Sequence, residues 1–65
     1  MSDDFLIFCD AESVESGFVP TVRISQAGKD VFTWRCSFAF SELASALTYG
    51  RDYAEVAARA LGLRD

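Results

Sequence analysis

The sequence predicts a small α+β domain in which three antiparallel strands pack against one long C-terminal helix, in the order β-β-β-α, with residues 1–65 forming a single domain. Three patterns carry this expectation. Residues 18–25, FVPTVRIS, and residues 31–38, VFTWRCSF, alternate in the two-residue period of half-buried strands. Leu43, Leu47, Gly50, Ala54, Ala57 and Leu61 recur at intervals of three and four, the period of an amphipathic helix.

The first strand is expected in DFLIFC, a β-branched and aromatic run suited to burial on both faces. DAESVESG then reads as an acidic loop. In FVPTVRIS, Phe18, Pro20, Val22 and Ile24 share one face, and Val19, Thr21, Arg23 and Ser25 share the other. Pro20 cannot donate a ladder hydrogen bond, so it belongs near the strand's start or on a sheet edge. In VFTWRCSF, Phe32, Trp34, Cys36 and Phe38 alternate with Val31, Thr33, Arg35 and Ser37. A two- or four-residue hairpin loop would set the two apolar faces on opposite sides of the sheet. An odd loop is therefore expected: Gln26-Ala27-Gly28, with Gly28 left-handed, pairing Val22 with Phe32 and Thr21 with Thr33. The inner face is then Phe18, Val22, Phe32, Trp34, Cys36 and Phe38, and the outer face Thr21, Arg23, Thr33, Arg35 and Ser37.

The stretch LTYGRDY, residues 47–53, decides between one long helix and a helix-turn-helix. Ala46, Gly50 and Val56 match the spacing of the small residue, turn glycine and apolar residue of that DNA-reading motif. Arg51, however, stands where an apolar residue is usual, and only Arg59 would meet phosphate. Gly50 is also in phase with the apolar stripe, while Thr48, Arg51, Asp52, Glu55 and Arg59 fall together opposite it, so one uninterrupted helix is expected. Ser41 is the expected N-cap, Glu42 suits the positive end of the helix dipole, and Gly62 is the expected stop. Gly50, Ala54 and Ala57 would let the helix backbone approach a bulky sheet face.

A hydrophobic fraction of 51% and six phenylalanines exclude an intrinsically disordered chain. A domain of this size buries only about 60% of its unfolded surface, so a partner would add needed stability. The net charge of −4 repels phosphate and anionic membranes as a whole. Five apolar residues after two aspartates do not resemble a secretory signal, and nothing approaches the run of about 20 apolar residues a membrane span requires. A cytoplasmic protein is expected, with Cys9 and Cys36 as free thiols. Histidine is absent, the cysteines form no CxxC, and no nucleotide-binding or nucleophile motif occurs. No catalytic residue, metal or cofactor is therefore expected.

The functional expectation is a non-catalytic interaction module. Tyr49, Tyr53 and Val56 lie beside the helix core stripe, and Val19 and Val31 on the outer sheet face, leaving apolar surface for a homodimer or a protein partner. The alternative is nucleic-acid binding through Thr21, Arg23, Lys29, Thr33 and Arg35. The order of three strands and a helix is similar to that of integrase-type DNA-binding domains, which implies a sheet face laid in the major groove. A further alternative is inhibition of a nucleic-acid-binding protein, with Asp3, Asp4, Asp10, Glu12 and Glu15 imitating phosphate charge.

Overall fold

A computed structural model describes residues 5–63. β1 (Phe5–Val14), β2 (Gly17–Gln26) and β3 (Lys29–Arg35) form one antiparallel sheet in the order β1-β2-β3, and α1 (Leu43–Ala60) follows them. This is the expected β-β-β-α layout.

β1 runs on through the stretch that reads as a loop. Asp10, Ala11, Glu12 and Ser13 stay in register with Thr21, Pro20, Val19 and Phe18. Strand alternation accommodates the acids: Asp10 and Glu12 are exposed, while Ile7, Cys9 and Ala11 on the other face are half-buried. The start of the strand is likewise not buried on both faces, since Leu6 and Phe8 are exposed. Glu15 and Ser16 make the turn into Gly17. Gly17 has φ 141°, and a Cβ there would overlap the Phe40 carbonyl oxygen, so both conformation and space demand glycine.

β2 is the central strand and carries much of the core, with Val22 and Ile24 fully covered. Each such side chain contributes about 1.5–3 kcal/mol relative to exposure. Pro20 sits neither at the start nor on an edge; it is the fourth residue of this strand. Its ring nitrogen is tolerated because β3 ends at Arg35, opposite Thr21, so the missing donor faces a place where the β2–β3 ladder has already stopped. The Pro20 carbonyl still accepts from Cys36 N–H at 2.9 Å.

The β2–β3 loop is even, not odd. Gln26 pairs with Lys29 across Ala27 and Gly28, whose φ values of 54° and 80° are both positive, as a type I′ turn requires. Gly28 is left-handed as expected. The faces are reconciled by a bulge: Ser25 opposes Asp30 but Ile24 opposes Phe32, so Val31 is the extra residue. The true pairs are Val22 with Trp34 and Thr21 with Arg35.

After Cys36 the chain leaves the sheet and rejoins it at Phe40, which exchanges two main-chain hydrogen bonds of 2.8 and 2.7 Å with Phe18. Phe38 falls in this excursion and is exposed, so it is not part of the inner face.

α1 is continuous through Gly50, which does not have positive φ. Glu42, not Ser41, is the N-cap residue, and it makes no side-chain cap bond. At the other end Gly62, φ 79°, closes the helix: Gly62 N–H donates to Arg59 O and Leu63 N–H to Ala58 O, the paired bonds of a Schellman motif. The buried stripe is Ala46, Gly50, Ala54, Ala57 and Ala58. It is rotated from the expected one, leaving Leu43 and Leu61 exposed. Small residues bring the helix onto the sheet until a Cβ at Gly50 would lie 3.4 Å from Pro20 Cβ. At that separation the leucines lie at the margins. α1 lies over β1 and β2 rather than β3.

Candidate functional site

The helix tyrosines reach the inner side chains of β3, a strand that α1 itself does not lie over; Phe32 and Trp34 also pack against the cluster of Val22, Ile24, Ala54, Ala57 and Ala58. Tyr53 stacks on Trp34 with ring centroids 3.8 Å apart and planes 8° from parallel, and reaches Phe32 at 6.3 Å. One turn earlier, Tyr49 contacts Trp34 at 6.2 Å, Phe38 at 5.7 Å and Phe40 at 5.2 Å. Phe38 and Phe40 touch each other at 5.3 Å. The six rings form one row along the β3 side of the domain; the Trp34–Tyr53 stack is the closest contact, and the others lie within the range of favourable aromatic pairing.

This row contains two of the three residues expected to form a partner interface. Tyr53 is half-buried as the keystone of the row, Tyr49 is exposed, and Val56, one turn beyond Tyr53, is 64% exposed. Phe38, 51% exposed, belongs to the same surface although its alternation pattern points to the core. The excursion of Ser37–Ala39 out of the ladder carries it there, and the spacing of the two phenylalanines in CSFAF gives no hint of that excursion.

The expected nucleic-acid face is only partly assembled. Thr21 opposes Arg35 and Arg23 opposes Thr33, so these four share the outer face of the sheet. Lys29 does not join them. It pairs with Gln26 and, across the bulge, has the parity of the helix-covered face. Both arginines are engaged by acids. Arg23 Nη1 donates to Asp30 Oδ1 at 3.2 Å, and Arg35 Nε reaches across β2 to Glu12 Oε1 at 3.0 Å. Ser25 Oγ also donates to Asp30 Oδ1 at 2.6 Å, and this bond, followed by the Arg23 contact, lowers the Asp30 pKa from its ordinary value. The Arg23 guanidinium lies 4.2 Å over the Phe8 ring. Val19, expected to be exposed on this face, is buried; it lies opposite Glu12 where the Arg35 pair crosses the strand. Val31 is exposed as expected.

Of the acids expected to imitate phosphate, Asp3 and Asp4 lie outside the described residues. Asp10 and Glu12 stand side by side on the outer face, and Glu15 is in the β1–β2 turn. Among the described residues no three metal-ligating side chains converge. Cys9 and Cys36 are both free, and partial burial raises the Cys9 thiol pKa, with Arg51 opposing and Glu55 adding to the shift. Among the described residues no helix is long and apolar enough to cross a membrane. Comparison with protein-family models, with characterised proteins and with solved structures finds no match to this chain.

Proposed function

We propose that this chain is a non-catalytic interaction module of the cytoplasm that self-associates through its aromatic row. The supporting observation is the ring surface of Trp34, Tyr49, Tyr53, Phe38 and Phe40, left open where the helix stops short of β3 and extended by Val56. Tyrosine and tryptophan anchors bury large area at little entropic cost, and a domain this small gains from the added burial. Two free thiols suit a reducing compartment.

Nucleic-acid binding through the outer sheet face ranks behind this reading. Arg23 and Arg35 are already bonded to Asp30 and Glu12, and the face holds three carboxylates, with Asp10, against two guanidiniums. Imitation of phosphate by Asp10, Glu12 and Glu15 has less support still, because Glu12 is neutralised locally by Arg35.

Sedimentation analysis across micromolar to millimolar concentration tests the self-association. A dimer mass is expected, shifting to monomer in Tyr49→Ser and Phe38→Ser variants that retain the wild-type fold. A monomer throughout would exclude association stronger than about −4 kcal/mol and overturn the proposal.

A further inference from the structure

We infer that the edge of β1 at Ile7 and Cys9, which no described strand pairs, is a docking site for an extended segment of another protein, one with a basic side chain opposite Asp10 and apolar ones opposite Leu6 and Phe8. This rests on the chain's being an interaction module, yet it uses the opposite edge of the sheet from the aromatic row.

Main-chain directions locate the open positions. Pro20 O accepts from Cys36 N–H, so Pro20 turns its polar groups toward β3. Alternation turns those of Val19 and Thr21 toward β1, where they face Glu12 and Asp10. Ala11, Cys9 and Ile7 therefore turn their N–H and C=O groups away from β2, to the outside of the sheet. The Ala11 N–H is already taken by Asp10 Oδ1 at 2.8 Å. Ile7 and Cys9 remain as the receptive positions, with the Asp10 carboxylate placed at their end of the edge.

The two edges of the sheet differ in how they are protected. β3 has seven residues, begins with Lys29 and is bulged at Val31. β1 has ten residues and contains no proline, no basic residue and no register shift. Short length, lysine and bulges are among the devices that keep edge strands from pairing; β1 lacks these three, and its charged residues, Asp10 and Glu12, deter a strand of like charge rather than a basic one. An added strand there would gain main-chain hydrogen bonds for affinity and alternate side-chain contacts for specificity.

Charge selects the occupant. The outer side chains of β1 run from Leu6, 62% exposed, and Phe8, 41% exposed, to the acids Asp10 and Glu12. Antiparallel pairing of β1 with a second copy sets residues of like parity opposite one another. Centred on Phe8, it puts Leu6 against Asp10; centred on Cys9, it puts Phe8 against Asp10 and Leu6 against Glu12; centred on Asp10, it joins two aspartates. Centring on Ile7 matches Leu6 with Phe8 but shrinks the described ladder to residues 5–9. Like charges directly opposite and carboxylates set against apolar groups are both unfavourable. A strand with a basic residue opposite Asp10, the acid of β1 that no arginine holds, escapes both, and the net charge of −4 draws it in.

The probe is the peptide acetyl-Lys-Thr-Arg-Val-Val-Thr-Val-amide, titrated into isotopically labelled protein and followed by NMR. Saturable shifts centred on the Ile7 and Cys9 amides are expected, with slowed hydrogen exchange at both and affinity that falls as salt is added. A peptide with both basic residues replaced by glutamate should bind at least about tenfold more weakly, and Asp10→Asn should weaken the original peptide. Three results would overturn the inference: no saturable shift up to millimolar peptide, equal binding of the glutamate peptide, or shifts confined to Trp34, Tyr49 and Tyr53. Exchange protection of Ile7 and Cys9 in concentrated protein without peptide would overturn it too, by showing β1 paired with a second copy. The sedimentation mass of the same samples reports separately on self-association, so the two proposals fail independently.

Discussion

The rings of Trp34 and Tyr53 lie 3.8 Å apart and nearly parallel, and this stack is the closest of the ring contacts that join β3 to a helix whose backbone rests on β1 and β2. Tyr53 therefore has two tasks: it closes the exposed side of the core and it fixes the aromatic surface.

Tyr53→Ala should destabilise the fold by about 2–3 kcal/mol, less than the loss of a fully buried ring because the side chain is half-exposed. Tyr53→Phe keeps the stack and should change stability by less than about 0.5 kcal/mol. Chemical denaturation followed by the fluorescence of Trp34, the single tryptophan, measures both. Equal losses in the two variants would show that the hydroxyl, not the ring, holds the helix.

Gly50→Ala tests the packing of α1. Alanine gains about 0.8–1 kcal/mol of helix propensity, and its methyl would meet Pro20 Cβ at 3.4 Å, an ordinary contact. The variant should be as stable as the parent or up to about 1 kcal/mol more stable. Gly50→Leu, by contrast, should lose about 1–3 kcal/mol by forcing the helix off the sheet. Thermal melts of the pair would contradict this packing if leucine were tolerated as well as alanine.

Ala27 holds φ 54° in the β2–β3 turn, a conformation that costs a residue with a Cβ about 1 kcal/mol or more. Ala27→Asn should raise stability by about 0.5–1 kcal/mol, since asparagine followed by Gly28 is a favoured type I′ pair. A lowered melting temperature would mean that the turn is not of this type.

Asp30 supplies a pH dependence with a defined sign. Its pKa is lowered in the fold, first by the Ser25 hydroxyl and then by Arg23, so its contribution is complete above the unfolded-state value and disappears as pH falls through the lower folded value. Stability should therefore decline on acidification below about pH 4, and the Asp30→Asn variant should show a shallower decline over that range. Parallel profiles for the two proteins would remove Asp30 from the acid response.

The strands and the helix were legible because their side chains follow periods that local geometry imposes. Val22 and Ile24 could be assigned to the core, and Gly50 to a continuous helix, from spacing alone. The misreadings arise where a distant partner decides. Asp10 and Glu12 look like loop residues until Arg35, 23 positions from Glu12, is seen holding the strand's outer face. Leu43 and Leu61 look like core residues, but the close approach allowed by Ala46, Gly50 and Ala58 gives the buried stripe to smaller side chains. By simple alternation Lys29 falls with Arg23 and Arg35, because the Val31 bulge, which changes its parity, has no local signature. In the candidate interface Tyr49, Tyr53 and Val56 could be named from helical spacing, whereas Phe38 could not, since its position depends on the Phe18–Phe40 bridge.

That the helix follows the three strands has a consequence for the order in which the molecule can assemble. Both hairpins pair neighbouring segments across two-residue turns, so the sheet can form as soon as Arg35 is available. The core cannot be sealed then, because Ala54, Ala57 and Ala58, which cover Val22, Ile24 and the half-buried side of β1, come last. A chain emerging from a ribosome would thus display Ile7, Val22, Ile24, Phe32 and Trp34 on an uncovered sheet until α1 has followed it. Over that interval the uncovered apolar sheet is open to aggregation, and a chaperone that shields flat apolar surface would protect it.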